Sequence, residues 1–308
     1  MVDFRYHLVS IVAVFLALGV GILLGSAFLG DPLVKSIRTD VQNLSQRNQD
    51  LRSRADSLTA QLTRYEDFAQ AAEPWLVGQR MLGHQVVIVD FDGTDGDVLG
   101  GVGDAVSKAG GAVASTLTFS DSLSLSDPAD VDQLALLLGS PSSQPSQLRS
   151  QLATTFGSTL GRSSSEASAR APKEEAGRLV EELDRAGFLA VDKEGEGPIV
   201  PPRASFIVVS GSPDRPSYDV ASFVIPMAMR LDPGVLVAEP EDSRWNVVSG
   251  IRDDGDARNA ISTVDDAETT PGRIAIVLGV MRDYFGETGQ YGVLDGSTAV
   301  IPEPPPSG

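Results

Sequence analysis

The chain has 308 residues, a formal net charge of −18 and no cysteine. That charge argues against a nucleic-acid partner, which needs a basic face. The missing thiols remove a disulfide, a thiolate nucleophile, a lipidated cysteine anchor and a cysteine metal site from consideration.

The N-terminus is the most informative stretch. Residues 8–30, LVSIVAVFLALGVGILLGSAFLG, contain no charge. About 20 apolar residues suffice to cross a bilayer, and the apolar core of a signal peptide is shorter, about 7–15 residues. Gly25-Ser26-Ala27 has the small-x-small look of a cleavage site, but the length of the run predicts a retained transmembrane anchor over 1–30. Ala17, Gly21 and Gly25 share one face of it. Gly21 and Gly25 form a G-x-x-x-G, which lets two helix backbones approach closely in lipid.

Residues 34–69 then hold a heptad pattern. Its a positions read Val34, Val41, Asn48, Ala55, Leu62 and Ala69, and its d positions Ile37, Leu44, Leu51, Leu58 and Tyr65. Valine at a with leucine at d favours a parallel two-stranded coiled coil, and a lone asparagine at a fixes register and dimer state. The spacing predicts a dimeric stalk over 31–72, with Asn48 as its register residue. Arg47 and Arg54 fall at g, and Arg38 and Arg52 at e. In a parallel homodimer Arg47 would face Arg52 of the second copy. Either these side chains splay into solvent, or Arg47, Arg52 and Arg54 form a basic seam left for an acidic third helix.

The stalk carries six basic and six acidic side chains and residues 1–30 are neutral, so all 18 net negative charges lie in residues 73–308. Flanking charges set topology poorly when a long domain is translocated. The expectation is an N-terminus inside and the acidic domain outside.

Beyond a linker expected at Glu73-Pro74, apolar runs alternate with helical patterns. Residues 84–91 and 112–119 read as strands, and 97–111 and 128–139 as helices. A helix follows over 174–188, then apolar runs at 204–211, 218–231 and 235–240, and a helix over 271–285 begins at Pro271. This order predicts an α/β domain with a mainly parallel sheet over 73–300. SSSEASARAP (163–172) reads as a mobile loop, and IPEPPPSG (301–308) as a solvated, disordered tail.

The stretch VVIVDFDGTDGD (86–97) resembles the start of a haloacid-dehalogenase-type phosphotransferase, with Asp90 as nucleophile and Asp92 as general acid. Ser210 could bind the phosphate, and Asp253-Asp254 or Asp265-Asp266 could hold magnesium. That chemistry also needs a lysine after the serine, and none follows Lys193. Arg230 is a poor stand-in for a compact ammonium. The residues favour a strand that ends in an acidic turn. His7 and His84 are far apart in the chain, so a histidine triad finds no support. GGVG (100–103) lies inside a helix pattern and lacks a full dinucleotide fingerprint. No catalytic or cofactor residue is predicted.

The opening VDFRYHLVSIVAVFLALGVGILLGSAFLGDPL, with a heptad stalk behind it, resembles the actinobacterial MctB family. ISTVDDAETTPGRIAIVLGV (261–280) and GQYGV (289–293) are similar to that family's C-terminal segment. The family is named for copper transport. The resemblance implies an envelope location and a role in copper efflux or homeostasis. Proteins similar to the family, called SteB, are linked instead to control of a cell-wall hydrolase, for which an anchored dimer acting as a scaffold is suited. Copper enters through this resemblance alone. Soft copper ions prefer thiolate, thioether and imidazole, and only Met227 and Met229 form a close methionine pair, on different faces of a helix. Asp265 and Asp266, in the family signature, are expected to shape a loop or a dimer contact.

Overall fold

The computed structural model describes residues 4–164, 170–193, 195–231 and 234–303. The side chains of residues 26–34, which include Ser26, Ala27 and the first heptad residue Val34, lie outside the described set. So do residues 165–169 of the expected loop and 304–308 of the tail. The chain forms two compact units, Met1–Tyr65 and Glu66–Gly308.

Helix α1 (Phe4–Val77) supplies the first unit. Its segment Arg5–Gly25 has a mean hydropathy of 2.7 and no buried residue. It is long and apolar enough to cross a membrane.

The second unit, the head, alternates strands and helices. It comprises β1 (Gln85–Phe91), α2 (Gly96–Lys108), β2 (Ala112–Phe119), α3 (Pro128–Leu138), α4 (Pro145–Ser164), α5 (Arg170–Arg185) and β3 (Leu189–Asp192). There follow β4 (Ser205–Val209), α6 (Ala221–Ala228), β5 (Val235–Ala238), α7 (Val247–Asp253), α8 (Gly255–Ala260), β6 (Ser262–Val264), α9 (Thr270–Tyr284) and β7 (Gln290–Tyr291). The strands form one sheet in the order β3-β2-β1-β4-β5-β6-β7. Only β2–β3 is antiparallel; the other five pairs are parallel. The fold is α/β, as the alternation predicts.

Alternation along the strands sorts side chains to two cores, because successive residues point to opposite faces. Val87, Val89 and Phe91 of β1 face one way, with Phe156 of α4, Val180 of α5 and Phe223 of α6. Val86 and Ile88 face the other way, with Val102 of α2 and Ile274 and Val277 of α9. Local signals start the helices. The Asp95 side chain accepts from Asp97 N, Asp127 precedes Pro128 and accepts from Ala129 N, and Thr269 caps α9 ahead of Pro271.

Three expectations meet a different structure. Glu73-Pro74 is helical, not a linker. Proline costs one backbone bond there, one turn from the helix end, while Gly78 N closes onto Pro74 O at 3.1 Å and Val77 is buried. Glu73 is itself buried, paired with Lys108 at 2.9 Å. The expected loop at 163–172 is helical at both ends: Ser163 and Ser164 finish α4 fully buried, and α5 begins at Arg170. The first residues of the expected tail are packed instead. Pro302 is buried, and Arg282 Nη1 donates to Glu303 O at 3.2 Å.

Candidate functional site

Strand order sets the position of one cavity. From β1 the chain moves outward through β2 to β3, then returns to place β4 on the other side of β1. The helices after β1 and β4 therefore lie on opposite faces, α2 on one and α6 on the other. A crevice opens where the direction reverses, outside the carboxyl ends of the strands, and open α/β sheets bind ligands there. In this head the crevice holds a cavity of about 330 Å³. Phe91, Phe119, Tyr218 and Trp245 form its walls, with Asp92, Asp121 and Asp214 around its rim and Arg215 as the single base.

The walls are fixed by hydrogen bonds. Trp245 Nε1 donates to Asp214 O at 3.0 Å, and the Ser217 hydroxyl donates to Asp121 Oδ1 at 2.6 Å. Arg149 stacks over the Tyr218 ring at 5.1 Å and donates to the carbonyls of Leu123 and Ser124. Burial raises the Tyr218 pKa, so its hydroxyl stays protonated. An apolar wall with an acidic rim favours a cationic or hydroxyl-bearing ligand over an anion. Trp245 and Tyr218 give no sequence signal, because they come from two separate loops.

Asp90 lies beneath this crevice at the end of β1, buried, and accepts from Thr118 Oγ1 at 2.7 Å. Burial raises its pKa, while the Thr118 bond opposes the rise. Ser210 directly follows the neighbouring strand β4, with its Oγ buried and unbonded. The acidic pairs suggested for magnesium are otherwise engaged. Asp254 caps α8 through Asp256 N and Ala257 N, and Asp265 pairs with Arg252. Arg230 is exposed. Asp90→Asn is therefore expected to remove no activity. Magnesium-dependent hydrolysis of p-nitrophenyl phosphate by the wild type, lost in that variant, would overturn this.

The signature residues Asp265 and Asp266 directly follow β6, and both are buried. Asp265 pairs with the Arg252 guanidinium of α7. It also accepts from Val293 N at 2.7 Å and Leu294 N at 3.2 Å. Arg252 donates in turn to Thr263 Oγ1 at 3.0 Å and to Tyr291 O at 2.7 Å. Gly292 sits at φ +121°, and a Cβ there would run into the Asp265 carboxylate. Two distant motifs thus make one structure: the first aspartate of VDDAETTPG receives the backbone of the GQYGV turn. Asp266 is placed against the start of α9, with Oδ1 unbonded. Burial, and then the nearby Asp265 charge, push its pKa up to about 6. Arg252 is the residue that sequence reasoning missed. Its partners lie 11 to 43 residues away, beyond any local pattern.

In α1, Gly21 and Gly25 have open space where a Cβ would stand. Ala17, Arg47, Asn48, Arg52 and Arg54 are exposed.

A family model described as "Copper transport outer membrane protein, MctB" matches residues 1–302. The chain belongs to the MctB family. "Copper transporter MctB" of Mycobacterium tuberculosis is 29% identical over 316 residues, covering 97% of this chain and 99% of the relative. The Mycobacterium bovis protein of the same name matches to the same extent. That of Mycobacterium leprae is 28% identical over 315 residues.

The family's name prompts a test of the donor set. Met81 and Met227 are completely buried core residues, and Met281 is nearly so. Met229 is 43% exposed, on a different side of the chain from Met227. The His84 ring packs on Tyr284 at 4.3 Å, with Arg203 over the same tyrosine. Burial, then the Arg203 charge, lower the His84 pKa. Among the described residues, no group of three or more His, Cys, Asp or Glu could hold a metal ion. These donors do not fit a resident copper centre.

Proposed function

We propose that this MctB-family protein is a single-pass envelope protein of copper homeostasis whose own head does not hold copper. It works without catalysis, as a parallel homodimer that presents its stalk and head to another envelope protein. The copper role rests on the names of its relatives. The scaffold role rests on one observation: Ile37, Val41, Leu44, Leu51, Leu58, Leu62 and Tyr65 are each 54–70% exposed. A stripe of large apolar side chains at a/d spacing, bare in one chain, calls for a second helix. The acidic head lies outside the cytoplasm, and the anchor packs through Ala17, Gly21 and Gly25.

Arg47, Arg52 and Arg54 flank the seam where Glu–Lys pairs would favour self-association. In this reading they receive an acidic helix of the envelope partner. Asn48→Val should raise thermal stability and loosen oligomer specificity, since it replaces a buried polar pair in an apolar seam. Thermal melts with cross-linking of both forms check this; an unchanged melting temperature would count against a buried Asn48.

Sedimentation of the full chain in lipid nanodiscs tests the dimer. Two copies per particle are expected at roughly tens of micromolar, above common coiled-coil dissociation constants. One copy per particle would refute the reading. The relatives' names favour a second reading, direct transport with copper as substrate, in which the span is one of several copies around a path.

A further inference from the structure

We infer that the second copy of this chain also covers the last turns of α1, along Phe68, Ala72 and Trp75, because the apolar seam steps forward by three residues at Tyr65. The inference rests on the dimer reading above and adds where that dimer ends.

Residues Glu66–Val77 of α1 belong to the head unit. One side of these turns is committed to the head. Glu66 accepts from the Thr270 hydroxyl, Glu73 pairs with Lys108, and Val77 is buried with Leu76 packed beside it. Ala69 is half-buried on this same side. An unbroken heptad would place Ala69 and Leu76 at a and Ala72 at d, facing the second copy. Leu76 is already packed against the head's core and Ala69 is half-buried, so the heptad does not continue in phase.

Another side, roughly a third of a turn away, carries bare aromatics on either side of a half-buried Ala72. Phe68 is 73% exposed and Trp75 is 87% exposed. Tyr65, Phe68, Ala72 and Trp75 follow one another at steps of three, four and three. That is the rhythm of an a/d seam. Leu62 to Tyr65 is also a step of three, so two such steps occur in succession. This is a stammer, which coiled coils accommodate by local overwinding. The bare aromatic stripe begins at the residue where the stalk seam ends, which identifies its occupant as the helix that covers the stalk. In a two-fold dimer the same residues then meet across the axis, aromatic against aromatic.

The chain contains no cysteine, so single-cysteine variants give unambiguous disulfides between copies. The full chain in nanodiscs is made as Leu58→Cys, Phe68→Cys, Ala69→Cys, Trp75→Cys and Leu76→Cys, then oxidised. Dimer bands are expected at 58, 68 and 75, and their loss at 69 and 76. Bands at 58, 69 and 76, with none at 68 and 75, would show an unbroken heptad and overturn the inference. A band at 58 alone would overturn it and leave the stalk dimer standing. No band anywhere would overturn both. Since Leu76→Cys touches the head's packing, a second measurement uses Trp245→Phe, which leaves Trp75 as the sole tryptophan. Its fluorescence should be shielded from acrylamide in the dimer and quenched on dilution; quenching at all concentrations would sink the proposal.

Discussion

Arg252→Met is expected to lower the unfolding free energy of the head by about 3–5 kcal/mol, the usual cost of removing one partner from a buried ion pair. The guanidinium is 3% exposed and the Asp265 carboxylate 1%. Methionine would leave that carboxylate charged in a dry site, held only by the Val293 and Leu294 amides. It would also strip donors from Tyr291 O, Thr263 Oγ1 and Asp295 O. These bonds tie α7, β6, β7 and the following turn together, so one substitution loosens a whole edge of the sheet. Domain stabilities are about 5–15 kcal/mol, which makes the loss a large share of the total. Urea unfolding followed by tryptophan emission measures it. Pairing Arg252→Met with Asp265→Leu should recover part of the loss, because no buried charge then remains unmatched. A change below about 1 kcal/mol, the size of an exposed pair, would contradict this account of the signature.

Asp283→Asn is expected to stabilise the head increasingly as pH rises from acid to neutral. Asp283 lies on α9 and accepts from the Ser262 hydroxyl at 2.6 Å, while its Oδ2 has no partner. Burial pushes its pKa up to about 8, against 3.8 as the ordinary value. The folded state therefore keeps this proton while the unfolded chain releases it. Between those two pKa values the unfolded state binds fewer protons, so stability falls with pH, by at most about 1.4 kcal/mol per unit from this one group. The contribution is complete below the unfolded pKa and is lost as pH rises through the folded one. Asparagine does not titrate, so the stability difference between variant and wild type should grow steadily from pH 5 to 7.5. Asp266, Glu239 and Asp90 are also raised by burial, but they are common to both proteins and cancel in the difference. A difference independent of pH would show that Asp283 is ionised in the folded head.

The elements that sequence patterns captured are those with long, regular periods. Strands β1 and β2 lie within a residue of the runs at 84–91 and 112–119, and α9 begins at Thr270 beside the proline that marks its start. Short strands were illegible for a physical reason: β3, β6 and β7 have four, three and two residues, too few to display alternation. Helix α4 was hidden by its serine, threonine and glycine content. It still buries Leu148, Leu152, Phe156 and Leu160, one on each successive turn. The site was less legible than the fold. Asp265 stands out as part of a motif, but Arg252 and Trp245 act through contacts that only the folded sheet creates. The stalk presented the opposite case: its heptad was plain, while the step we propose at Phe68 draws on Leu76 packed against the head and on the bare Phe68 and Trp75.

We propose that this MctB-family chain serves copper homeostasis without a copper site of its own, and a competition titration of the full chain in nanodiscs against a coloured Cu(I) chelator decides it. The chelator is expected to keep its copper in the presence of an equivalent of protein. Withdrawal of one copper per chain at sub-micromolar affinity would contradict it.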